Sequence, residues 1–138
     1  MILEETVCKT SKKMKSILTI TALIEGVTGL ALAIMPSLVV TILLGTSLRD
    51  VSAILIARLA GAALITIAIA CWLSRSSTQS AVIVKAMVGY NVFSIVLLAY
   101  AVLVERISGP GLWPALLLHF GLLIWCLSSL TRRVRSLI

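Results

Sequence analysis

The chain has 138 residues, a length suited to one domain, and 60% of them are hydrophobic while only 12% are charged. Soluble domains average about 45–50% apolar and about 25% charged residues. So small a globule cannot hide that much apolar side chain, because burial is limited by surface-to-volume scaling, and a water-soluble fold is excluded. The net charge of +7 would suit nucleic acid in a soluble protein. Here the cations fill the gaps between apolar runs with no recognition motif beside them, so nucleic acid is not an expected partner.

Four runs reach the roughly 20 apolar residues that a bilayer-crossing helix needs. They cover residues 16–35, 51–73, 81–104 and 111–130, within a single integral membrane domain spanning 1–138. The first run is interrupted only by Glu25 and is closed by Pro36. Residues 37–44 are apolar apart from Ser37 and Thr41, which share one helix face at i, i+4. They form either a short interfacial helix or a loop with an apolar side. The second run carries Arg58, and the polar stretch 74–80 separates it from the third, which has Lys85 near its start. Residues 105–111 make a charged turn with Gly109, Pro110 and Gly111 as helix breakers. Pro114 then falls in the first turn of the fourth run, where a missing N–H costs nothing. That run has no formal charge and a single His119.

The start of the chain imitates a signal peptide, with Lys9, Lys12, Lys13 and Lys15 ahead of an apolar stretch and Ala31-Leu32-Ala33. Its apolar run exceeds the 7–15 residues usual for a signal core, so it is read as a spanning helix. Orientation follows from the cations. Lys9, Lys12, Lys13, Lys15, Arg75, Lys85, Arg132, Arg133 and Arg135 fall on one side, against Arg49 and Arg106 on the other. The positive-inside rule then predicts a multi-pass protein of the cell inner membrane with both termini cytoplasmic. Trp72 and Trp125 should mark the inner interface, and Trp113 and Tyr100 the outer one.

Lipid tails are as apolar as leucine, so helices associate through close packing and polar contacts. Ala22, Gly26, Gly29 and Ala33 form a small-residue stripe on the first run, and Ala53, Ala57 and Gly61 another on the second. These two helices are expected to form a tight antiparallel pair. With short connections, an all-α, up-down-up-down transmembrane four-helix bundle follows. Cys8, Cys71 and Cys126 show neither a CxxC nor a zinc-type Cys/His spacing. They read as small core hydrophobes, with a redox pair as the alternative.

Each run carries one strongly polar residue: Glu25, Arg58, Asn91 and His119. Such residues face a bundle interior, because a charge near the bilayer centre costs about 2.5–3.5 kcal/mol. At 1.5 Å per residue from the cytoplasmic end, Glu25, Asn91 and His119 lie roughly 14, 15 and 17 Å deep, and Arg58 roughly 23 Å. Thr21, Thr28 and Ser94 widen this polar layer. A Glu25–Arg58 pair must bridge a height gap of roughly 9 Å while both side chains lean apart, so Arg58 has the alternative of snorkelling to the outer headgroups. Two roles stay open for the four residues. In one, Glu25 and His119 handle protons or a polar ligand in a central cavity lined by Arg58 and Asn91. In the other, all four satisfy one another as glue worth about 0.6 kcal/mol per contact. No nucleophile elbow, phosphate loop or repeated His/Cys set is present, so no catalytic residue, metal site or cofactor is expected.

The words Leu23-Ile24-Glu25-Gly26-Val27-Thr28-Gly29, Ala57-Arg58-Leu59-Ala60-Gly61, Tyr90-Asn91, and Leu112-Trp113-Pro114-Ala115 with Leu118-His119 resemble small bacterial four-span proteins of the DoxX-like group. That resemblance implies shape, and through the group's association with quinone-linked sulfur oxidation it raises a redox-complex subunit. Glu25 midway along the first helix also resembles the small multidrug-resistance transporters. Arg58, His119, the missing glycine pattern in the third helix and the strong charge bias depart from them. Three functions are therefore carried forward. The first is a non-catalytic accessory or scaffolding bundle with a membrane-protein partner or a second copy of itself. The others are a proton-coupled transporter or binder of a small hydrophobic ligand, and a quinone-linked subunit.

Overall fold

A computed structural model of the chain describes residues 2–135, with side chains for residues 12–131. Cys8, Lys9, Arg132, Arg133 and Arg135, used above, lie outside the described side chains. The fold is all-helical, with five helices in the described residues: α1 (Ile2–Ile34), α2 (Pro36–Leu44), α3 (Val51–Ser74), α4 (Ser80–Leu103) and α5 (Leu112–Arg135). Four segments are long and apolar enough to cross a bilayer, at Lys12–Ile34, Val51–Ser74, Ser80–Leu103 and Leu112–Thr131. The protein is a multi-pass membrane protein.

The first helix starts well before residue 16. Lysine is a good helix former, so the basic stretch continues the apolar helix toward the N-terminus. Met35 drops out of α1 because the residue before a proline is driven from the helical region; its φ and ψ are −126° and 57°. Pro36 thus closes one helix and opens the next as the first residue of α2, and the helical alternative for residues 37–44 holds. Gly45 ends α2 at φ 74°, its N–H donating to the Thr41 carbonyl at 2.9 Å. Asp50 caps α3, accepting from the Ala53 N–H at 3.0 Å.

The glycines of the 105–111 turn do more than break helices. The Gly111 N–H donates to the Ile42 carbonyl at 2.8 Å, and a Cβ at Gly109 would collide with the Leu43 carbonyl. This turn is therefore fastened onto α2. One end of the bundle holds α2 and this turn (the α2 end), and the other holds the 74–80 connection and the inward approach of α1 and α5 (the terminal end).

Around the bundle the helices run α3, α1, α5, α4, and the seam between α4 and α3 is the sparsest. The α1–α3 seam is the tightest, as the small-residue stripes predicted. A Cβ on Gly29 would stand 2.7 Å from the Gly61 carbonyl oxygen, and one on Gly61 would stand 2.7 Å from the Ala33 nitrogen. Only hydrogen side chains permit this backbone approach.

At the terminal end the interior is filled by Met14, Ile17, Leu18, Ala22, Cys71, Val84, Met87 and Cys126, all buried. Cys71 and Cys126 are free thiols there. No Cα of α3 comes within 8 Å of one in α5, too far for a disulfide, so the redox-pair alternative for these two falls. The outer surface is apolar in turn, with Val27, Leu59 and Phe93 each at least 70% exposed. That surface belongs to acyl chains. Trp72 and Trp113 are exposed at opposite ends, as expected of interfacial anchors, and the Arg75 guanidinium stacks on the Trp72 ring at 3.5 Å.

Candidate functional site

Toward the α2 end the four spans do not fill the space between them. A cavity of about 500 Å³ opens there, with Glu25, Thr28, Tyr90, Ser94 and His119 among its lining residues. Its remaining walls are aliphatic, including Ala57, Ala60 and Leu64 of α3, Leu97 and Leu98 of α4, and Ala115 of α5. Val39, Val40 and Leu43 of α2 roof it. Ala60 and Leu97 line the cavity and are also exposed, so the void opens sideways through the sparse α3–α4 seam toward the acyl phase.

Its polar groups are tied in two pairs. The Tyr90 hydroxyl donates to Glu25 Oε2 at 3.0 Å, and Glu25 is only 3% exposed. The Ser94 hydroxyl is also bonded to the Tyr90 phenol. His119 Nδ1 lies 2.9 Å from Asn91 Oδ1, while Asn91 Nδ2 donates to the Met87 carbonyl at 2.7 Å. The two pairs touch through their rings, Tyr90 and His119 meeting edge to face at 5.6 Å between centroids. Thus α1, α4 and α5 each contribute to one connected cluster. A buried polar group in hydrocarbon demands such a partner, and each acquires one here.

Three of the four polar residues singled out from the sequence come together, and one does not. Glu25 and His119 face the cavity, and Asn91 sits fully buried behind it, holding His119. Arg58 is exposed and is not among the cavity residues, which corrects the expectation that it lines the site. Its neighbour Ala57 takes the buried position on the cavity side, and one residue onward is a turn of about 100° around the helix. Arg58 therefore shares the exposed face of α3 with Leu55 and Leu59, which leaves it the snorkelling alternative. Glu25 is engaged by Tyr90 in place of Arg58 or His119.

Tyr90 is the functional-site residue that the sequence reading passed over. Counted from residue 81 at 1.5 Å per residue, it lies roughly 14 Å deep, level with Glu25, so the same arithmetic could have found it. Among the described residues no group of three His, Cys, Asp or Glu side chains converges to hold a metal ion. Comparisons with family models, with curated proteins and with solved structures give no match to this chain.

Proposed function

We propose that the protein binds a membrane-dissolved small molecule in the α2-end cavity, with Glu25 at the polar end of the site. The observation carrying this reading is a roomy, mainly aliphatic void that encloses a carboxyl group near mid-membrane and opens toward lipid. Small-molecule sites share this build, an apolar concavity with a few placed polar groups. Intramembrane carboxyl and imidazole groups also serve proton relays, so coupling of ligand movement to a proton on Glu25 belongs to the same reading. The cation distribution supports an inner-membrane location with both termini, and so the terminal end, in the cytoplasm.

A second reading, an accessory or scaffolding bundle with a membrane-protein partner or another copy of itself, draws support from the terminal half, where large side chains fill the interior. A quinone-linked subunit rests on the DoxX-like resemblance alone. The test is binding of a lipophilic naphthalene fluorophore to protein in lipid nanodiscs, corrected for protein-free discs. Saturable binding that Ala115→Phe abolishes and Glu25→Gln weakens roughly tenfold supports the cavity reading. Partitioning that neither substitution alters, with both variants folded, would leave the scaffold.

A further inference from the structure

The hydrogen-bond pattern of the cluster says more about the ligand than the cavity's size does. Asn91 spends its amide N–H on the Met87 carbonyl, so the atom it presents to α5 is Oδ1, an acceptor. His119 Nδ1 must then carry the proton of that contact. A neutral imidazole protonated at Nδ1 leaves Nε2 with a lone pair and no hydrogen. Among the described residues no side chain donates to Nε2, and His119 lines the cavity. On the facing side Tyr90 occupies Glu25 Oε2, leaving Oε1 without a partner among the described residues.

We propose that the cavity selects lipophiles whose polar end donates a hydrogen bond, a hydroxyl or an amine, with His119 Nε2 as the acceptor that fixes this choice. The proposal rests on the cavity reading above and narrows its ligand. A hydroxyl suits either protonation state of Glu25. When the carboxyl is ionised the hydroxyl has one proton to give to either acceptor, and when it is protonated the hydroxyl accepts from Glu25 and donates to His119. An ether or ester of equal length offers only acceptors and leaves the Nε2 lone pair facing an apolar group, a cost that no solvent relieves. Asn91 acts here as a positioning residue, setting which nitrogen of His119 is bare.

His119 is the single histidine of the chain, so ¹⁵N-histidine labelling of protein carrying a histidine-free tag reports this ring alone. In nanodiscs the ligand-free spectrum should be that of the Nδ1–H tautomer. A dominant Nε2–H tautomer would overturn the proposal. Radiolabelled 1-dodecanol should bind saturably above protein-free discs, and dodecylamine should compete with it. Undecyl methyl ether, an isomer of 1-dodecanol of equal length that keeps the oxygen and loses the donor, should compete roughly tenfold more weakly or worse. Equal competition by the ether rejects donor selectivity while leaving the cavity reading standing. Failure of alcohol, amine and ether alike removes both. In His119→Phe the preference for alcohol over ether should vanish, and a preference that survives in this variant would overturn the assignment to His119.

Discussion

The terminal half and the α2 half of the bundle are made by the same four spans, yet one is filled and the other hollow. Near the termini α1 turns Met14, Ile17 and Leu18 inward, and they meet Val84, Met87 and the two thiols. Toward α2 the cavity walls of α3 and α5 include Ala57, Ala60 and Ala115, too short to reach across. Gly29 and Gly61, which let α1 and α3 touch backbone to backbone, are not cavity residues, and separate alanines, Ala57 and Ala60, thin the α3 wall. Without a hydrophobic drive between helices, dispersion contacts decide where a bundle is firm, and the hollow half has few.

The seam common to both halves is the place to break them together. Gly61→Leu should be the most damaging substitution, because its Cβ alone would meet Gly29 and Ala33 backbone at 2.7 Å. A loss of about 3 kcal/mol or more is expected, read as a lowered thermal midpoint in detergent. Next in size, Leu18→Ala removes a side chain with no exposed surface and should cost about 2–3 kcal/mol, whereas Leu98→Ala on the cavity wall should cost less than about 1 kcal/mol. Equal costs would mean that the two halves are packed alike. The smallest effect should be a gain. Ser129 is completely buried and its hydroxyl has no partner among the described residues, so Ser129→Ala should stabilise the terminal half by up to about 1 kcal/mol in the same melt.

Much of this architecture is written in apolar run length and in glycine spacing. The spans fall within a few residues of their expected bounds, except where α1 continues through its lysines, because charge ends a span without ending a helix. The seam partners of Gly29 and Gly61 were legible because small-residue spacing acts locally along one helix face. The site was legible by depth but not by direction. Depth brings Glu25, Asn91 and His119 to one layer, but only the rotational setting of α3 sends Arg58 outward, and the packing of Ala57 decides that setting. Tyr90 escaped notice because a tyrosine in an apolar run carries no charge to mark it, although its hydroxyl needs a partner as much as a carboxyl does.

The roof over the cavity has an order of assembly built into it. Both helices of the tight pair, and α2 itself, leave the ribosome before the turn that holds α2 in place. The Gly111 N–H that bonds the Ile42 carbonyl, and the Gly109 backbone pressed on Leu43, are translated only as the fourth span begins. Until then the nascent three-span intermediate has no latch on that side, and its Glu25 lacks the imidazole neighbour that α5 brings. The compartment therefore cannot close before the chain has reached its fourth span.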